Sequence, residues 1–176
     1  GNTYYIRTGD LIENFYHIRD TLEGAALAGY IADIASDIAI EGQEAVELMR
    51  LVLNSFHLIS TGKKPIVQIK AVFELRAASL AGYTPDLYGC HVCGNQEPSF
   101  FDISGGVLLC EKCKETASGI RMPLTASVLE AMRYICLCDP RKLFSFQIGE
   151  QTQKQLAGLT EAYLTSQLER GFSTLD

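Results

Sequence analysis

Apolar residues recur at helical spacing through most of the first half of the chain, with Gly and Pro where helices should start or stop. The spacing predicts a helix after Thr8 carrying Leu11, Ile12, Phe15 and Ile18, and a second from about Leu22 to Ala39, with Tyr30, Ile34 and Ile38 on one face and an end near Gly42. From Gln43 to Thr61 the series Val46, Met49, Leu53 and Phe56 is again helical, and Gly62 stands where a left-handed C-terminal cap belongs. Pro65 suits the first turn of a fourth helix that reads through Ile66, Ile69, Phe73, Ala77 and Leu80 to Gly82. Ahead of all these, Tyr4, Tyr5 and Ile6 form a short β-prone stretch closed by Gly9.

The pattern changes after Gly82. Residues 84–119 hold two Pro, four Gly ahead of the last residue and four Cys, with little helical period. Pro98–Ile103 and Gly106–Leu109 read as two short strands turned at Ser104, Gly105 and Gly106, a hairpin between two cysteine pairs. Helical spacing returns after Pro123: Thr125 is placed to cap a helix carrying Val128, Leu129 and Met132, and a last helix runs from about Glu150 to Arg170. The expected fold is mainly α, a helical bundle domain with an inserted four-Cys, zinc-ribbon-like β-hairpin module. Its divisions are residues 1–9 as the last strand of something upstream, 10–83 and 120–176 as the two parts of the helical domain, and 84–119 as the module.

The cysteines carry the chemistry. Cys90 and Cys93, then Cys110 and Cys113, form C-x2-C pairs separated by sixteen residues. Two residues between thiolates let one tight turn present both sulfurs to a single ion, and two such knuckles complete a tetrahedron of the zinc-ribbon kind. Four protein ligands leave no open position for water, which implies one structural Zn2+ and no hydrolytic role. A disulfide framework would need an oxidising compartment, and no leader sequence points to one. Cys136 and Cys138 fall two apart at a helix end and read as packing residues. His17 and His57 have no paired ligand at i+4, His91 lies inside a knuckle whose cysteines already fill the coordination sphere, and no Ser-His-Asp set or Gly-rich phosphate loop can be picked out, so the reading is non-catalytic with no small-molecule substrate.

Charge narrows the partners. The 176 residues carry a net charge of −6, which argues against whole-surface binding of a polyanion, and 47% are apolar, enough for a sizeable core. No apolar run of about 18 residues predicts a membrane span, and the expected location is the cytoplasm. Residues 1–62 hold three basic and nine acidic side chains, whereas 63–82 hold Lys63, Lys64, Lys70 and Arg76 against Glu74 alone. The fourth helix is thus the one basic element, and Lys70, Phe73 and Arg76 form the expected edge of an anion site beside an apolar groove, with Lys63 and Lys64 at its start. The plainer reading of these cations is packing over the core or pairing with acidic helices.

Two stretches bear a resemblance. KAVFELRAASLAGYTPDLYGCHVCG, from Lys70 to Gly94, resembles the signature of the bacterial recombination mediator family RecO, and FDISGGVLLCEKC, from Phe101 to Cys113, resembles the second half of that family's zinc module. The likeness implies an N-terminal OB-fold that binds single- and double-stranded DNA, followed by a helical domain with a zinc finger held by Cys90, Cys93, Cys110 and Cys113. On this reading the chain, which starts at Gly1 without a Met, lacks that barrel apart from a last strand near Tyr4–Arg7. The family likeness further implies non-catalytic action in DNA repair near the bacterial nucleoid. Its partners there are the RecR ring and the acidic, apolar-ended tail of single-stranded DNA-binding protein, and its outcomes are strand annealing and loading of the RecA recombinase. A zinc-ribbon DNA-binding regulator and a zinc-thiol redox switch stand as alternatives on the cysteines alone.

Overall fold

The computed structural model describes residues 5, 7–40, 42–116 and 119–169. Five helices, α1 (Leu22–Ile38), α2 (Val46–Thr61), α3 (Ile66–Leu80), α4 (Ala126–Leu137) and α5 (Glu150–Glu169), surround or flank one core. Between α3 and α4 lies a sheet of four short strands: β1 (Asp86–Cys90), β2 (Phe100–Asp102), β3 (Val107–Leu109) and β4 (Arg121–Pro123), in the order β1-β3-β2-β4.

Local chemistry sets the boundaries. Thr21 starts α1 by accepting the Gly24 N–H on its hydroxyl at 3.0 Å, and Thr125 does the same for Val128 at the head of α4, where the sequence placed it. Gly62 ends α2 at φ 61°, a left-handed position that a side chain rarely adopts. Pro65 precedes the first turn of α3 as its N-cap, one position earlier than expected, and its carbonyl accepts from Gln68 and Ile69.

α3 is the central helix. It is apolar around most of its circumference, so it is buried on nearly every side. Gln68, Ile69, Ala71, Val72, Phe73, Glu74, Leu75, Ala77 and Ala78 are all buried, beneath α1, α2, α4 and α5. The Ala residues at 71, 77 and 78 let neighbouring helices come close, and fully burying a Phe or Leu is worth about 1.5–3 kcal/mol each.

The helices and the sheet share that core, since Phe101, Ile103 and Leu108 belong to the same apolar cluster as Phe73 and Leu159. Tyr163 of α5 fastens the two. Its ring meets Phe101 edge-on at 5.3 Å, its hydroxyl donates to the Tyr83 carbonyl at 2.9 Å, and a Cβ on Gly106 would stand 2.7 Å from that hydroxyl. Gly106, at φ 65°, is thereby fixed by its backbone and by its neighbour.

Two expectations change, at the first helix and around the hairpin. The helix expected over Leu11–Ile18 is absent: the backbone there is irregular, Leu11 and Ile12 are 78% and 97% exposed, and Phe15 takes a left-handed φ of 47°. Only a 3-10 turn at Tyr16–Asp20 forms, anchored by Phe15 edge-on against Phe56 of α2. The strand expected at Tyr4–Ile6 falls mostly outside the described residues. The hairpin forms as β2 and β3, antiparallel with Phe101 opposite Leu108, but it is flanked by two strands that the sequence did not announce. β1 pairs with β3 in parallel and β4 pairs with β2 in antiparallel, and β4 lies past residue 119, where the sequence reading ended the module.

Candidate metal centre

β1 and β3 run parallel, so their C-terminal ends lie on the same side of the sheet, and each delivers one cysteine pair there. Cys90 closes β1, and its carbonyl accepts the Gly94 N–H at 2.8 Å to turn the first knuckle; Gly94 is left-handed at φ 72°. Cys110 follows β3, and its carbonyl accepts the Cys113 N–H at 3.0 Å to turn the second. The knuckles are tied to the sheet by His91 N–H on the Leu108 carbonyl and by Arg121, whose guanidinium reaches the Lys114 carbonyl and the Glu115 carboxylate.

The four sulfurs lie within 4.8 Å of one another, with Cys93 and Cys110 at 3.7 Å. A tetrahedron with Zn–S bonds of about 2.3 Å has sulfur–sulfur edges of about 3.8 Å, so the cluster has the size such an ion needs. The donor chemistry agrees. Burial raises the Cys90 thiol, yet backbone N–H groups of Cys93, Cys110 and Val92 outweigh it and pull it down to about 6. Burial likewise opposes ionisation of Cys110, and the amides of Cys113 and Lys112 prevail and lower it. Cys113 is pushed up to about 12, chiefly by its contact with Cys93, then by burial and the sulfurs of Cys110 and Cys90. Four thiols this close cannot all ionise unless a cation sits among them, and a divalent ion removes that conflict. The residues therefore fit a structural metal, with Cys90 and Cys110 buried, Cys113 half-buried and Cys93 exposed.

The basic residues of α3 come out differently. Phe73 is 0% exposed and belongs to the core, which corrects its expected place on a groove wall. Arg76 points at the end of α4, where its Nη1 donates to the carbonyls of Cys136 at 2.9 Å and Ile135 at 3.4 Å, so it caps that helix. Lys70 lies between Glu74, 2.7 Å away, and Glu161, 2.8 Å away, and over the Tyr30 ring. Lys64 donates to the Phe146 carbonyl at 2.8 Å, and Lys63 beside it is exposed.

Behind Lys70 lies a buried carboxylate. Glu74 is 0% exposed and accepts from Tyr30 and Thr160, each at 2.7 Å, besides Lys70. Burial and the Glu74 charge together push the Tyr30 phenol far up. This network joins α1, α3 and α5. Its sequence signal is a single Glu on the most apolar helix, which spacing alone cannot distinguish from a surface residue.

A groove that the sequence reading missed runs along the outer face of α4. It encloses about 570 Å³ and is lined by Ala131, Arg133, Tyr134, Leu137, Phe146 and Ile148, among others. Leu137 is 73% exposed, and Tyr134 packs at a tilt against Phe146 with ring centres 5.0 Å apart while its hydroxyl donates to the Lys142 carbonyl. Arg133 is held at the rim by the Leu87 carbonyl and Glu130.

Residues 19–176 match the family described as Recombination protein O C terminal. The chain is 33% identical over 175 residues to DNA repair protein RecO of Acetivibrio thermocellus, covering 98% of this chain and 69% of that protein. It is 28% identical to DNA repair protein RecO of Caldanaerobacter subterraneus subsp. tengcongensis, over 99% of this chain and 71% of the relative. A match along nearly the whole chain, on a fold that gathers the four cysteines and buries the helix of the Lys70–Gly94 signature, leaves no competing assignment: the chain belongs to the RecO family of DNA repair proteins.

Proposed function

We propose that this chain is the partner-docking part of a non-catalytic recombination mediator, ordered by one structural zinc on Cys90, Cys93, Cys110 and Cys113. The observation that carries the reading is the family match across residues 19–176. As mediator it engages RecR and the acidic, apolar-ended tail of single-stranded DNA-binding protein, promotes annealing and helps load RecA. With a net charge of −6, the chain supplies docking surfaces more than a DNA track. The alternatives gain nothing from the geometry: of the lysines near the second cysteine pair, Lys114 is turned to Glu111 and the Phe100 ring instead of the thiols.

The tail's place is the α4 groove. An acidic peptide with an apolar end needs a hydrophobic slot bordered by cations. Tyr134, Leu137, Phe146 and Ile148 offer the slot. Arg133 stands at its rim, and Lys64, on the Phe146 carbonyl, borders it with Lys63 alongside. Lys70, Phe73 and Arg76 support the frame from beneath.

Fluorescence anisotropy of a labelled tail peptide, titrated with zinc-loaded chain at moderate salt, tests this. Micromolar, saturable binding that Leu137→Asp weakens roughly tenfold is expected. Absence of binding by folded protein would remove the tail from this part of the mediator, and unchanged affinity in Leu137→Asp would move the site off α4.

A further inference from the structure

α2 has two apolar faces, and the core uses one. Leu48, Leu51 and Ile59 point inward, whereas Val46, Met49 and Leu53, at i, i+3 and i+7, form a straight outer stripe that is 57%, 56% and 45% exposed. Two clefts adjoin along it, one of about 520 Å³ over Val46, Met49 and Leu53, and one of about 260 Å³ at the α1–α2 corner. They meet at Ala45 and Val46, and Ile40, 62% exposed, extends the apolar strip at the corner.

The corner of this face is acidic. Glu44 and Glu47 line the corner cleft, and the one cation on the stripe, Arg50, is held by Glu47 at 2.8 Å. The C-terminal end of α1 enters the same cleft through Ile38 and Ala39, with no basic residue in its last turn to offset the negative end of the helix dipole. The positive end of α2 is met by Glu47 in its first turn.

We infer that the outer face of α2 docks a basic amphipathic helix of a partner protein, its apolar residues seated along Val46, Met49 and Leu53 and its Lys or Arg flanks against Glu44, Glu47 and the end of α1. A two-turn straight stripe is the shape that a second helix packs into, with side chains repeating every three or four positions. The charge excludes nucleic acid as the occupant and disfavours a second copy, which would bring the same acidic rim against itself. This face is separate from the α4 groove, and its chemistry is opposite: the groove takes an acidic ligand, the stripe a basic one.

The probes are two synthetic helical peptides of about 18 residues with the same Leu stripe, one carrying Lys and the other Glu at the polar positions, titrated into methyl-labelled, zinc-loaded chain and followed by NMR. The Lys peptide should shift the Val46, Met49 and Leu53 methyl signals saturably, and the Glu peptide should bind at least roughly tenfold more weakly. Met49→Asp separates docking from bulk charge attraction. It adds an acidic group to an exposed position, so pure electrostatics would strengthen binding of the Lys peptide, whereas loss of the apolar seat weakens it; weakening is expected, and strengthening would overturn the proposal. Equal binding of both peptides, or shifts confined to α4, would overturn it too. A dimer in sedimentation velocity that Met49→Asp dissolves would assign the face to a second copy instead.

Discussion

The helical core and the cysteine module hold their shape in opposite ways. Around α3, a broad apolar cluster closes over one carboxyl group, that of Glu74, whose three donors come from three different elements of the bundle. At the knuckles, the apolar cluster is only Cys90, Leu109 and Cys110, with Phe100 and Cys113 at its edge, and the strands are three to five residues long. The strands rest on the shared core through Phe101 and Leu108, whereas the knuckles beyond them bury little apolar area of their own. The core is thus held by area and the module by ligation, joined through Tyr163. Four thiolates cannot coexist at the knuckles unless a cation sits among them, whereas Glu74 has its cation built in as Lys70.

The largest effect should follow from removing one ligand. Cys110→Ser should abolish stoichiometric zinc binding and lower the melting temperature by about 10 °C or more, because structural zinc contributes folding free energy directly. Metal analysis and calorimetry check this, and an unchanged melting temperature would show that the sheet stands without ligation. The proton on Cys113, whose thiol is pushed up to about 12, must leave when the metal enters. Zinc uptake should therefore release protons at neutral pH, and apparent affinity should fall as pH drops, as titration in buffers of different ionisation heat would reveal.

In the core, Glu74→Ala leaves Lys70 and two hydroxyls without their shared acceptor and should cost about 3–5 kcal/mol in urea unfolding, with zinc content unchanged. A loss of metal in that variant would erase the distinction between the two regions. The smallest effect is expected at Arg76. Arg76→Gln removes the charged cap on the α4 carbonyls and should cost about 1–2 kcal/mol while leaving affinity for the acidic tail peptide unchanged. A tenfold loss of tail affinity at full stability would return Arg76 to the partner site.

Much of this organisation could be read from the residues, and the exceptions have physical causes. The five helices from Leu22 onward and the caps at Gly62 and Thr125 follow from spacing and capping chemistry, which act locally. The cysteine cluster was legible because ligand spacing is a covalent constraint. Leu11, Ile12, Phe15 and Ile18 have helical spacing too, but no facing element receives Leu11 and Ile12, and spacing carries no information about what lies opposite. β1 contains Asp86 and Gly89 and gains its parallel partner from residues about twenty positions on, and β4 is three residues ending in Pro, so neither shows a strand pattern of its own. The orientation of α3 was hidden for the same reason. Lys70 and Arg76 resemble surface cations until the carboxylate and the carbonyls that receive them are brought in from 59 to 91 positions away.

That separation in sequence also sets an order of events during folding. The ligands span Cys90 to Cys113, a short loop, while Thr160 lies 86 positions from Glu74, and closing the longer loop costs about 1 kcal/mol more. On a ribosome the difference is sharper, since the second knuckle ends at Cys113, 47 positions before Thr160. The module can gather its metal while α3, already packed on α1 and α2, still lacks α4 and α5, so the side that those two helices cover stays open to solvent. Of the five helices around this core α5 is made last, and it therefore governs when the bundle stops being prone to aggregation, which makes α5, and not the metal, the late checkpoint of its biogenesis.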